Sequence, residues 1–207
     1  MIDLHKEGGI WTVTLNRPGK ANALTEDMLA KVADIAEDAA TRPEEARALI
    51  LTGAGKVFSA GADLDAARAG LATSAVWERL SSAIAALPCL TIAALNGTVA
   101  GGALGMVLAC DLRIAVPGAQ LFYPVMKLGL LPQPSDPVRL AALVGPARTK
   151  QIFLTGRRID AETALHWGLF DALVQRDALL SEVRAWIDHT LVATPAHAAA
   201  IKALIPR

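Results

Sequence analysis

Charge is scarce in this chain: only 19% of its 207 residues are Asp, Glu, Lys or Arg, and 20 basic residues balance 20 acidic ones. With no net field to gather a phosphate backbone or an anionic bilayer, neither nucleic acid nor a membrane surface is an expected partner. Cysteine is scarce too. Cys89 and Cys110 stand in apolar runs without CxxC spacing or a neighbouring His, and read as buried thiols in a reducing compartment. None of the four histidines (His5, His166, His189, His197) has a partner at metal-ligand spacing, so no metal is expected. The N-terminus carries Asp3, Lys6 and Glu7 where a secretory signal would need an apolar core, which points to a cytoplasmic protein. No Walker-type or GxGxxG loop is present to grip a phosphate. The longest absence runs from Leu80 to Cys110, where no Asp, Glu, Lys, Arg or His occurs. Such a run suits a membrane span in length. Pro88, Asn96-Gly97, Gly101-Gly102 and Gly105 divide it into short blocks, so it reads as buried strand, turn and helix.

What is present is apolar: 53% of the residues are hydrophobic, enough for a substantial core and too many for disorder. Residues 2–15 alternate about Gly8-Gly9 as a hairpin, and Thr25 caps a helix that reaches Thr41. Short apolar strands are predicted at 48–52 and 90–95, with further strands at 112–116, 120–123 and 170–174. Helices are predicted over 64–86 (with a possible break at Gly70 or Thr73), 102–109, 138–144, 148–154, 161–167, 179–191 and 196–204. Strands and helices alternate first and helices dominate the last third, which is the α/β class with a helical C-terminal extension.

Two glycine-bearing junctions, Ser59-Ala60-Gly61-Ala62-Asp63 and Ala100-Gly101-Gly102-Ala103, each lie between a predicted strand and a predicted helix. Each can offer an unpaired backbone N–H, and one from each would make a hole for an oxyanion if they converge. Alone, either is weak evidence, since glycine at such a turn often serves geometry only. Together with LNRPGKANAL (15–24), LTGAGKVFSAGADL (51–64), ALNGTVAGGALGMVLACDLRIA (94–115) and LTGRRIDAETALHWGLFDALV (154–174), they make the chain resemble the crotonase, or enoyl-CoA hydratase/isomerase, family from the first strand to about Ile205. The resemblance implies a spiral of ββα units over residues 1–175 and a shortened helical region over 176–207, together a single crotonase-like domain. It implies an acyl-CoA thioester as substrate, with coenzyme A entering as part of that substrate and no separate cofactor. The implied oxyanion donors are the N–H groups of Ala62 and Gly102, the latter backed by the helix that opens there. The implied CoA contacts are Lys20, Ala21, Ala23, Ala60, Asp63 and Leu64, although Lys20 is equally a solvated loop lysine. Asp63 and Asp111 are expected to hold loop and turn backbone. A homotrimer, or a hexamer built as a dimer of trimers, is the implied assembly.

The chain departs from the pattern that the resemblance implies for hydration. Hydratases of the family use two glutamates, and the matching positions here are Gly105 and Val125; an aspartate used by some other members aligns with Gln133. None of the three can exchange protons as an acid. The nearby ionisable groups are Asp136, in the run Pro132-Gln133-Pro134-Ser135-Asp136-Pro137, and Tyr123. Asp before a helix is by default an N-cap and a lone aromatic in a strand is by default core, so each has a structural and a proton-transfer reading. Two functions stay open: an acyl-CoA enzyme that uses the hole for isomerisation, decarboxylation or thioester hydrolysis as readily as for hydration, or a catalytically inactive crotonase-fold subunit that binds CoA or serves as a structural surface.

Overall fold

A computed structural model describes residues 1–205; the last two residues of the region expected over 176–207 lie outside the described residues. In chain order the strands are β1 (Ile2–Glu7), β2 (Ile10–Leu15), β3 (Ala48–Gly53), β4 (Leu90–Leu95), β5 (Val99–Ala100), β6 (Leu112–Ala115), β7 (Gln120–Phe122), β8 (Ile159–Asp160) and β9 (Ala172–Leu173). The helices are α1 (Glu26–Thr41), α2 (Leu64–Arg68), α3 (Val76–Ala85), α4 (Ala103–Ala109), α5 (Val125–Leu128), α6 (Asp136–Thr155), α7 (Ala161–His166), α8 (Leu179–Ala185), α9 (Asp188–Val192) and α10 (Pro195–Leu204).

One sheet runs β1-β2-β3-β4-β6-β9 and a smaller one β5-β7-β8. Only β1–β2 in the first sheet is antiparallel, turned by Gly8 and Gly9 at positive φ; from β2 onward all neighbours are parallel. Parallel strands need crossovers and are covered on both faces, and for this reason β3 and β4 read as unbroken apolar runs rather than alternating ones. Ile50 pairs with Ile92 and Ala94 with Ile114, all fully buried at the centre of the core. α1 starts on the Thr25 cap, whose hydroxyl accepts from the Met28 N–H, and turns Met28, Leu29, Val32, Ile35 and Ala36 inward.

The uncharged run forms the end of α3, then β4, β5 and α4; every residue of α4 is buried. Among the described residues no helix is long and apolar enough to cross a membrane.

Several predicted elements are refined or corrected. The helix expected over 64–86 breaks where a break was expected: Gly70 sits at φ 109, and a short 3-10 turn, Leu71–Thr73, separates α2 from α3. The two helices expected at 138–144 and 148–154 are both present within α6, divided by a non-helical Gly145 (φ 80, ψ 162) that precedes Pro146; only the start of the first is corrected, to Asp136. The helix expected over 179–191 divides into α8 and α9, and the strand at 170–174 shrinks to β9. β7 stops before Tyr123, and α5 was not expected: the chain turns there on Pro124 and leaves by a left-handed Gly129.

Candidate active site

Three backbone segments are laced together where the two glycine junctions lie. The N–H groups of Phe58 and Ser59 both donate to Thr98 O at 3.1 Å, and the Ala100 N–H donates to Ser59 O at 3.0 Å. On the other side, Ala60 N–H donates to Ala21 O at 2.9 Å, Leu24 N–H to Gly61 O at 2.8 Å and Asp63 N–H to Leu24 O at 2.8 Å. The structure therefore brings Ala21, Ala23, Ala60, Ala62 and Asp63 to one locus, beside the Gly101-Gly102 turn. Gly61 is at φ 92, and a Cβ there would lie 2.8 Å from Ala100 O, so only glycine lets the two junctions approach this closely. Among the described residues, neither the Ala62 N–H nor the Gly102 N–H meets an acceptor. α4 has only seven residues, so the backing expected from its dipole is small and any value of these donors rests on their fixed direction.

The neighbouring residues hold this backbone. Asp63 caps α2, accepting from Asp65 and Ala66 N–H groups, and its carboxylate pairs with Arg17 at 2.7 Å, which holds its pKa below the ordinary value. Arg17 also donates to Ala23 O, and the buried Asn22 side chain ties Arg17 N–H to Ala54 O and Val57 O. Lys20 is exposed on the 18–20 turn and Leu64 is 74% exposed, so these two stand at the rim. Asp111 takes the structural part expected of it, accepting from Thr91 and pairing with Lys202 at 2.7 Å. Cys89 and Cys110 are buried, and burial pushes their thiols up to about 11 and about 12, which leaves them unreactive.

Behind Gly102 the indole of Trp77 fills the space a side chain would need: a Cβ on Gly102 would lie 3.1 Å from the ring. One turn further along α4, a Cβ on Gly105 would lie 2.9 Å from Oδ1 of Asp136. A carboxyl from α6 thus stands in the room that Gly105 leaves on α4. Asp136 has no exposed surface, and the phenolic O–H of Tyr123 donates to its Oδ2 at 3.0 Å; Oδ1 has no hydrogen-bond partner among the described residues. The capping reading of Asp136 is corrected: Asp136 is the first helical residue, and Ser135, which holds the N-cap position, makes no capping hydrogen bond with its own side chain. Tyr123 is also more than core filler, though its ring does pack on Phe153 with centroids 5.2 Å apart. Val125 is buried at the start of α5, and Gln133 contributes its carbonyl to the Asp136 N–H at 3.0 Å.

Burial raises the Asp136 carboxyl from 3.8 to about 7, although the Tyr123 hydrogen bond and the charge of Arg139 draw it down; the nearby Glu78 charge adds to the rise. Burial, then Asp136 itself, pushes the Tyr123 phenol well above its ordinary range. A carboxyl poised near neutrality beside an open-handed glycine can both accept and return a proton. It also makes a stability prediction. With the folded pKa above the unfolded one, the native state holds the extra proton between about pH 4 and 7, so stability falls as pH rises through that window and Asp136 opposes folding above it. Asp136→Asn removes this dependence. In urea titrations the wild type is expected to lose stability relative to the variant by up to roughly 1.4 kcal/mol per pH unit across that window; parallel curves from pH 4 to 8 would contradict the assignment.

Two residues that sequence reasoning did not single out complete the site, Trp77 and Glu78. Glu78 accepts from the Ser135 hydroxyl in a short hydrogen bond and from the Ser135 N–H at 3.3 Å. Burial works against its charge, but the hydrogen bonds from Ser135 and Ser82 outweigh it and hold its pKa below the ordinary value. The signal in the sequence was slight: Glu78 and Arg79 are the last charges before the uncharged run. A groove of about 700 Å³ opens elsewhere, at the far end of α4 against α9 and α10, lined among others by Leu108, Leu143, His197 and Ile201. Among the described residues no group of three His, Cys, Asp or Glu side chains is placed to hold a metal.

The parallel sheet with its crossover helices and the paired glycine junctions define a class of protein, and comparison with known proteins places the chain within it. The profile of the enoyl-CoA hydratase/isomerase family matches residues 5–207. Similar proteins include "Probable enoyl-CoA hydratase echA8" of Mycobacterium leprae, 36% identical over 89% of this chain and 72% of the relative, and a carnitinyl-CoA dehydratase of Citrobacter koseri, 35% identical over 95% of this chain and 77% of the relative. Among solved structures, an enoyl-CoA hydratase/isomerase from Pseudoalteromonas atlantica T6c superposes with a TM-score of 0.90 at 30% identity, covering 98% of this chain and 81% of that one. The chain belongs to the enoyl-CoA hydratase/isomerase, or crotonase, family, and has its fold.

Proposed function

We propose that the protein is an acyl-CoA enzyme that moves a proton at the carbon next to the thioester, with the Asp136–Tyr123 pair as proton carrier and the N–H groups of Ala62 and Gly102 as the oxyanion hole. Two free N–H groups beside one converging turn are what an enolate oxygen needs, because preorganised dipoles act strongly in a site closed to water. The Ala21, Ala23, Ala60, Asp63 and Leu64 locus, with Lys20 at its rim, lies next to the hole and suits the CoA portion of the substrate. Relatives named for enoyl-CoA and carnitinyl-CoA share that thioester.

The observation that carries the reading is the Asp136 carboxyl in the space beside Gly105, hydrogen-bonded to Tyr123, one turn beyond Gly102. Hydration must hold and split a water, which calls for two groups; a double-bond shift needs one group to take a proton from one carbon and return it to another. A single buried carboxyl therefore favours the shift, with decarboxylation and thioester hydrolysis as other uses of the same hole. The test is incubation with a 3-enoyl-CoA in D2O, followed by NMR and mass spectrometry. Conversion to the 2-enoyl isomer with deuterium in the acyl chain is expected, with slow hydration of crotonyl-CoA. Fast hydration of crotonyl-CoA without any isomerisation would overturn the reading.

The complete burial of Asp136 supports a second reading, in which the fold binds CoA or serves as a subunit surface without turnover. In that case calorimetry detects acyl-CoA binding while enoyl, malonyl-type and β-keto thioesters all remain unconsumed.

A further inference from the structure

The Asp136 carboxyl stands at the first residue of a helix, after a proline-bracketed loop, and nothing in its own backbone explains why it stays turned into the core. The only hydrogen bond to its side chain among the described residues is the one from Tyr123. A second restraint acts one residue earlier. Glu78, on α3, takes both polar hydrogens of Ser135: the hydroxyl and, at 3.3 Å, the backbone N–H that an uncapped helix start would otherwise leave unpaired. The residue before Glu78 is Trp77, whose indole packs on Gly102 and whose N–H is itself anchored on Leu71 O at 2.8 Å. One turn of α3 thus touches both halves of the site.

We propose that Glu78 is a positioning residue: by gripping Ser135 it caps α6 from another helix, holds Asp136 against Gly105 and Tyr123, and sets that carboxyl in register with the Gly102 turn through Trp77. The inference rests on the proton-transfer reading of Asp136. The charged and titratable groups that act on Asp136 are Tyr123 beyond β7, Arg139 on its own helix and Glu78 on α3; Gly105 on α4 brings none. Loosening the grip lets Asp136 turn toward solvent, which lowers its pKa by relieving burial.

The test separates grip from charge. Asp136 is followed by 13C NMR with Asp-labelled protein, its signal assigned by its loss in Asp136→Asn. Ser135→Ala and Glu78→Asp both keep a negative charge on α3 but weaken or shorten the grip, whereas Glu78→Gln removes the charge at constant shape. In all three the Asp136 titration midpoint is expected to fall by roughly one unit, and kcat for 3-enoyl-CoA isomerisation by about tenfold, with KM little changed. A midpoint that moves only in Glu78→Gln would mean that Glu78 acts through charge alone, and a midpoint unmoved in every variant would leave it without influence; either result overturns the proposal. The NMR readout needs no turnover, so failure here is distinct from failure of the proton-transfer reading, which is instead marked by undiminished activity in Asp136→Asn.

Discussion

Asp136→Asn is expected to lower isomerisation of a 3-enoyl-CoA by about 10²- to 10⁴-fold, the range for loss of a positioned acid or base, while acyl-CoA affinity stays within a few-fold. The substitution is close to isosteric, keeps an acceptor for the Tyr123 hydroxyl, and removes only the ability to take and return a proton. Because the carboxyl has no exposed surface and no charged partner fully satisfies it, the amide is also expected to be the more stable side chain at pH 8. Loss of activity together with gain of stability is the signature of a group retained for chemistry against its folding cost. Activity equal to wild type, measured in the same D2O assay, would return Asp136 to a structural part.

The second large effect is expected at Gly61. An alanine there needs a φ near 92, a left-handed conformation that L side chains adopt at a cost, and its Cβ would stand 2.8 Å from Ala100 O, a backbone atom held in place by its turn. Together these are expected to cost about 2–4 kcal/mol, seen as a fall in melting temperature of roughly 5–15 °C. In the fraction that stays folded, the Ala62 and Gly102 N–H groups are pushed apart, and a weakened oxyanion donor costs about 10²- to 10³-fold in kcat. Gly118→Ala is a fitting control, since nothing among the described residues lies within 4 Å of a Cβ there. If Gly61→Ala and Gly118→Ala have the same melting temperature and turnover, the close approach of the two junctions does not matter.

Much of this was legible in the residues. The β1–β2 hairpin, α1 with its Thr25 cap, and the apolar strands β3 and β4 follow from alternation, capping and runs of buried residues, which are local signals. The paired glycine junctions could be read as possible donors, and so could the doubt about acids on α4 and after Tyr123. The position of the Asp136 carboxyl could not. Asp136 follows a loop with two prolines and precedes a third, a context in which local chemistry points to a cap; what overrides it is the empty volume at Gly105 on a different helix, a fact of packing rather than spacing. Glu78 was hidden for the same reason, because its partner Ser135 meets it only in the folded chain. The break at Gly70 was marked by the glycine itself, whereas the break between α8 and α9 shows the usual limit of helical periodicity, which runs past an irregular residue without marking it.

The most direct measurement is a crystal structure with butanoyl-CoA bound. The expected result is a thioester oxygen about 2.7–3.1 Å from both the Ala62 and Gly102 nitrogens, the distance of a working oxyanion hole, with the adjacent carbon facing the Asp136–Tyr123 pair and the CoA portion lying along Ala21, Ala23 and Ala60. A thioester oxygen bound away from both nitrogens, or an acyl chain separated from Asp136 by an unmoved wall of side chains, would contradict it.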